Sequence, residues 1–317
     1  MTREVKWGLC ATAKASATDV LRFAAFHLSA GAHRVHIFLD APNPDAFTHL
    51  KAHPKCRVTL CDDTYWRRRG GKPPVKHQVR QSRNATHCYQ RAGDLDWLIH
   101  MDVDEFLIAE KPLWQHLSQL PETCVSARIR PMEALAQLQP IGETMAFKRF
   151  VPNGPDRLAT VKALYPTYGQ YVKGGFLSHV AGKLFVRTGR NDVEVRIHNI
   201  FQSDTMNPAE AALTDVALAH VHAATWESWR AAYDYRHIKG AYRADLAPAE
   251  SGGVTLHDFL AQLVQSRDDS GLRHFFDEVC ADTPDHRARL QAHDLLAEYR
   301  LDLDTLVNQH FPDFTGG

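Results

Sequence analysis

The chain has 317 residues, with 44% hydrophobic and 23% charged residues and a formal net charge of zero. That is long for one core and short for two independent ones, so one large domain with additions is expected. Zero net charge excludes a global field that would draw the protein to nucleic acid.

The predicted elements alternate over the first hundred residues. Val5 to Thr12 is an apolar run of strand length. Thr18 and Asp19 can cap a helix running through Leu21, Phe26 and Leu28, which Gly31 stops in the left-handed conformation. Val35 to Leu39 reads as a second strand. Asn43-Pro44, a cap and a first-turn proline, opens a short helix to about Ala52. Arg57 to Cys61 is a third strand, followed by a polar loop from Asp62 to Pro74. Lys76 to Arg91 is expected to be helical and Trp97 to Met101 a fourth strand. From Cys124 to His222, short strand-like runs separated by Gly, Pro and Asn predict a mixed-sheet half with long loops. Beyond Thr225 the pattern is helical: first Trp226 to Ala241, then from about Thr255 to the end, with Phe275 to Val279 and Leu295 to Leu306 amphipathic.

Strands alternating with helices imply a parallel sheet covered on both faces, joined by right-handed crossovers in a Rossmann-like layer. Ligands bind beyond the C-terminal strand ends of such sheets. Those ends are Thr12-Ala13-Lys14, Asp40, Asp62-Asp63 and Asp102 to Phe106, and three of the four carry an Asp.

The fourth end holds Asp102, Asp104 and Glu105 between two apolar runs. Carboxylates this close raise one another's pKa, and a divalent cation relieves the cost. Hard oxygen ligands suit Mg2+ or Mn2+, which bridge carboxylates and substrate phosphates. The alternative is a solvated acidic turn at a strand end.

The segment Trp97-Leu98-Ile99-His100-Met101-Asp102-Val103-Asp104-Glu105-Phe106 resembles the W-to-D-x-D-E-F stretch of glycosyltransferases in the family 2 and family 92 neighbourhood. Upstream, Phe26 to Ala32, Ile37 to Asp40, Asn43 to Asp45 and Gln81-Ser82-Arg83-Asn84-Ala85 resemble pieces of the same pattern, in order. Downstream, Gly182 to Arg187, Val195 to Asn199, and Ala219 to His222 with Ser228 and Lys239-Gly240 continue it. The resemblance spans roughly Trp7 to Gly240. It implies a GT-A-type nucleotide-sugar-binding α/β fold with a mixed central sheet over 1–240, and a C-terminal helical extension over 241–317 packed on it.

The implied activity is transfer of a sugar from a nucleotide-diphosphate sugar to a hydroxyl of a glycan or lipid-linked saccharide, with inversion, as in polysaccharide biosynthesis. Mn2+ or Mg2+ is the implied cofactor, held by Asp102, Asp104 and a late histidine, His220, with His222 its competitor. Thr12, Lys14, Asp40, Arg83, Asn84, Asp102 and Lys183 are the implied donor-binding residues. Asp192 and Glu194 are candidates for the general base, although each also reads as a solvated turn carboxylate. Two positions depart from the family: Lys14-Ala15-Ser16 stands where Lys-Asn-Glu is usual, and Val221 stands where a Tyr is usual.

Other features are weighed by residue type. Tyr65 to Lys72 joins aromatics to four cations beside glycines, which is either a phosphate-holding loop or a solvated one. Lys76, Arg80 and Arg83 recur at near-helical spacing, facing a diphosphate or solvent. Trp226, Trp229 and Tyr233 read as core packing rather than a sugar platform, and His198 as a core histidine rather than a group supporting the site. Cys10, Cys56, Cys61, Cys88, Cys124 and Cys280 form no Cys-x-x-Cys pair, so free thiols in a reducing compartment are expected. Met1 to Trp7 lacks the apolar core of a signal peptide, and no apolar run reaches bilayer length. A cytoplasmic protein with at most peripheral membrane contact follows. Two rival readings remain: a haloacid-dehalogenase-like phosphatase with Asp102 as nucleophile, and a non-catalytic nucleotide-sugar-binding protein.

Overall fold

The computed structural model describes residues 4–137, 144–249, 253–264 and 269–316. In chain order these form β1 (Trp7–Ala13), α1 (Ala17–Ser29), β2 (Arg34–Leu39), α2 (Pro44–Ala52), β3 (Cys56–Leu60), α3 (Asp63–Arg67), α4 (His77–Tyr89), β4 (Trp97–His100), β5 (Glu105–Ala109), α5 (Leu113–Ser118) and β6 (Ser126–Ala134). There follow β7 (Thr144–Arg149), α6 (Arg157–Leu164), β8 (Lys183–Arg187), β9 (Val193–Val195), β10 (Ile200–Gln202), β11 (Thr205–Met206), β12 (Glu210–His220), α7 (Trp226–Lys239), α8 (Leu256–Val264), α9 (Ser270–Val279), α10 (Pro284–Gln291), β13 (Leu296–Arg300) and α11 (Leu303–His310). The protein is mixed α/β. It divides into two compact units: Met1–Arg130, Ala181–Leu218 and Asp302–Gly317 form the first, and Pro131–Val180 and Ala219–Leu301 the second. Residue 240 lies inside the second unit, and the last segment, with α11, belongs to the first.

The first unit is built on a mixed sheet. Strand β1 pairs in parallel with β2 on one side and β4 on the other, and β3 extends the layer beyond β2. The second half is antiparallel: β8 pairs with β4, and the start of β6 pairs with β8. β1 is buried along its whole length, as a strand covered on both faces must be. Local chemistry starts the helices that cover it. The Ser16 hydroxyl accepts from the Asp19 amide to cap α1, and Gly31 at φ +93° turns the chain out. Asn43 caps α2 ahead of Pro44. Where a loop was expected after β3, the Asp62 carboxylate caps the short helix α3 by accepting from the Tyr65 amide. α11 packs on α1, with Arg22 paired to Asp304 and the Ser29 hydroxyl bonded to His310.

In the second unit, β7 pairs antiparallel with the end of β6 and with β13. Its core gathers Trp229, Tyr233, Tyr242, Phe275 and Phe276, so the aromatic stripe of α7 is packing, as the spacing predicts. The helical expectation for Leu295 to Leu306 is corrected. Leu296 to Arg300 lies in register with Lys148 back to Thr144, and Asp302, left-handed at φ 49°, separates this strand from α11. The helical spacing ran across two elements. Five residues of the expected C-terminal helical stretch, 265–268 and 317, lie outside the described residues. All six cysteines are free thiols and buried. Among the described residues no helix is long and apolar enough to cross a membrane.

Candidate active site

Helix α4 carries polar side chains at His77, Arg80, Gln81 and Asn84, spacings of three and four that place them on one face. That face ties together all four strand ends of the parallel half. Asn84 donates to the Thr12 hydroxyl of β1 at 3.0 Å, contacts Cys61 Sγ after β3 at 3.6 Å, and accepts from the Tyr65 hydroxyl at 2.5 Å. At the end of β2, Asp40 is gripped by Arg80, with Nη2 at 2.7 Å, and by His77 at 3.2 Å. After β4, Gln81 donates to Asp102 Oδ1 at 2.5 Å. Asp40, Asn84 and Thr12 are expected from the sequence, whereas His77 and Gln81 are not. Their signal was present: a polar stripe at helical spacing directly before the acidic strand.

The acidic segment is organised by one buried cation. Lys183, fully buried at the start of β8, places Nζ 2.6 Å from Asp102 Oδ2 and 3.4 Å from Glu105 Oε2. Gly182 makes this approach possible. It adopts φ +73°, and a Cβ there would collide with the carbonyl oxygen of Ile129 on the paired strand. Glu105 is fully buried and accepts from the Asp102 amide at 2.9 Å, which closes the turn. Glu105, without a firm role in the sequence reading, is thus the group that shapes the Asp102 turn. Asp102 is the open member, with its side chain 31% exposed.

Electrostatics follow from this geometry. Burial alone would raise the Asp102 carboxyl, but the Lys183 ammonium, His100 and the hydrogen bond from Lys183 hold it well below the usual carboxylate range. Burial likewise opposes the charge on Lys183, and Asp102 and Glu105 reverse that, raising it above an ordinary lysine. His100 and His198 are each pushed down to about 3 by burial and then by Lys183. His198 Nδ1 sits 3.1 Å from the Gly182 carbonyl oxygen. His100 is buried, and neither ring nitrogen has a hydrogen-bond partner among the described residues. The centre is therefore one ammonium, two carboxylates and two neutral imidazoles.

Beside it, a cleft of about 330 Å3 opens at the ends of β1 and β2, lined by Ala13, Lys14, Ser16, Leu39, Pro42 and Asn43. Of the expected donor-binding residues, Lys14 lines this cleft and is exposed, and Arg83 is exposed on α4. Thr12 and Asn84 are buried against one another, and Asp40 is held by Arg80. Asp102 and Lys183 meet directly. Asp104, partly buried, lies in the turn between β4 and β5. The base candidates lie elsewhere. Asp192 and Glu194 are exposed at the small β11-β10-β9 sheet, where Glu194 pairs with Arg196 at 2.8 Å.

The second unit holds the expected late histidines. His220 ends β12, buried, with Nδ1 3.2 Å from the Ser178 hydroxyl and its ring 6.0 Å from that of His179. These two imidazoles offer ring nitrogens within 4.8 Å of one another, a spacing one cation can span. His222 is bound to the Tyr242 hydroxyl at 2.9 Å, and burial pushes it well down.

The chain matches no protein-family model, and no curated protein sequence matches it. Among solved structures it is similar to mannose-1-phosphate geranyltransferase from Thermus thermophilus. That match has 10% identity and a TM-score of 0.27, covering 81% of this chain and 68% of that one. At this similarity the two chains need share neither topology nor activity.

Proposed function

We propose that the protein is a metal-dependent glycosyltransferase whose donor diphosphate lies at the Asp102 to Glu105 turn. The observation that carries this reading is the placement of an acidic turn, organised by buried Lys183, at the C-terminal edge of a parallel sheet with an open cleft at the neighbouring strand ends. A nucleotide-diphosphate sugar is the donor and a hydroxyl of a glycan or lipid-linked saccharide the acceptor.

Asp104 is the residue assigned to Mn2+ or Mg2+, because both oxygens of Asp102 are already engaged by Gln81 and Lys183. When bound, the cation neutralises charge growing on the leaving diphosphate. Lys183 keeps Asp102 ionised and fixed. Asp102, with its rim exposed, orients the ribose or the diphosphate. Lys14 supplies a cation at the mouth of the cleft. His100 and His198, held neutral, add no charge to oppose the approach of a cation.

Incubation with Mn2+ and a panel of nucleotide sugars tests the proposal by release of nucleoside diphosphate. Release is expected from at least one donor and is expected to fall at least 100-fold in Asp104→Ala, on the order of removing one transition-state charge contact. Undiminished release in that variant, or no binding of any nucleotide sugar, sinks the reading. Hydrolysis of a phosphate monoester dependent on Asp102 would point to a phosphatase instead.

A further inference from the structure

A second cleft lies at the C-terminal end of the edge strand β3. Its volume is about 730 Å3, and its lining includes Thr59, Tyr65, Arg68, Arg69, His87 and Arg91. It shares no lining residue with the cleft at β1 and β2. Two segments converge on it: the end of α3, which delivers Arg68 and Arg69, and the last turn of α4, which delivers His87 and then Arg91.

The donors there outnumber the acceptors. Arg69 stacks on the Tyr65 ring with its guanidinium carbon 4.3 Å from the centroid, and it also contacts Nε2 of His87. Arg91 Nη1 lies 2.7 Å from the other ring nitrogen, Nδ1. A guanidinium can only donate, and a neutral imidazole accepts at one nitrogen only. One of the two contacts therefore sets donor against donor. Protonation of His87 would make both contacts repulsive. Burial, and then Arg69 and Arg91, accordingly hold it down to about 4. Among the described residues no carboxylate pairs with Arg68, Arg69 or Arg91. The acid in the lining, Asp62, is occupied in capping α3.

We propose that this cleft is a phosphate-binding site, with Arg69 and Arg91 as its principal ligands and Arg68 at its rim. A tetrahedral dianion accepts from several guanidinium forks at once, and drawing one fork off His87 removes the donor conflict. The cleft is larger than a lone phosphate, which leaves room for the alcohol portion of a phosphate monoester. Its arginine ligands are none of the residues assigned to the donor, so the two readings can fail separately.

The test follows the histidine ring signals of the full chain by NMR during titration with inorganic phosphate, and in parallel with a hexose monophosphate. A saturable shift of His87 is expected, with its pKa rising toward the ordinary value as the anion offsets the two arginines. Arg69→Gln and Arg91→Gln should each weaken binding about tenfold, the loss of one charge-assisted contact. Arg67→Gln, an exposed neighbour outside the cleft, should leave binding unchanged, and unchanged melting temperatures verify that each variant folds. Tighter binding of the hexose monophosphate than of phosphate identifies a phosphorylated saccharide as the source, and equal binding identifies free phosphate. The proposal is overturned if His87 shows no saturable shift, if sodium chloride reproduces the shift, or if all three variants bind like the parent.

Discussion

Each unit of this protein buries a lysine against carboxylates, and the two sites are finished differently. In the second unit Lys148 donates to the Val279 carbonyl oxygen at 2.8 Å and lies 3.4 Å from Glu133. Glu133 also accepts from the amides of Leu177 and Ser178, one on each oxygen, and both charged side chains are 3% exposed or less. In the first unit Lys183 is equally buried, but its closest partner, Asp102, keeps a 31% exposed side chain at the edge of a parallel sheet. A closed ion cluster fixes a fold. The same cluster left open on one side also presents charge to a ligand.

The largest effects test the burial that the two clusters share. Lys183→Met and Lys148→Met each remove one member of a buried ion pair and should each cost about 3–5 kcal/mol in urea unfolding. The difference lies in binding: Lys183→Met should abolish saturable binding of a nucleoside diphosphate, whereas Lys148→Met, assayed where it remains folded, should not. Loss of binding in both would erase the contrast between them.

Asp40→Asn comes next. It releases a carboxylate gripped by Arg80 and His77, and should cost about 2 kcal/mol, within the range for hydrogen bonds to charged groups. A cost near zero would mean that the α4 stripe does not tie down the strand ends.

A third effect depends on pH. His100 titrates near 3 in the folded protein, against about 6.5 for a free imidazole. Between those values the unfolded chain binds the extra proton, so stability falls as pH drops through this window, by up to about 1.4 kcal/mol per pH unit for this group. Asp102, depressed when folded, acts in the same direction: its contribution is present above the unfolded carboxyl pKa of about 4 and is lost as pH falls further. Urea midpoints measured from pH 7 to pH 4 should decline less steeply in His100→Phe than in the parent. An identical slope would place His100 in contact with water.

Much of the first unit could be read from its sequence. Ser, Asn and Gly at helix ends and unbroken apolar strands are local signals, and they located β1 to β4 and the acidic turn within a residue or two. Lys183 could be named only through a resemblance, because its meeting with Asp102 depends on β8 pairing with β4 across 81 residues. Glu133 with Lys148 went unnoticed for the same reason. Nothing near either residue in sequence distinguishes it from a surface charge. The strand at Leu296 to Arg300 was hidden because its partner β7 lies far upstream, and its own spacing also fits a helix.

The smallest expected effect on stability bears most directly on function. Asp104→Ala removes a partly buried turn carboxylate and should cost about 1 kcal/mol or less, the ordinary range for a single substitution. The decisive measurement is calorimetric titration of a nucleoside diphosphate with Mn2+ into the parent and into this variant. Saturable binding to the parent is expected, with at least tenfold weaker binding to a folded Asp104→Ala protein. Equal affinity in the two proteins would contradict it.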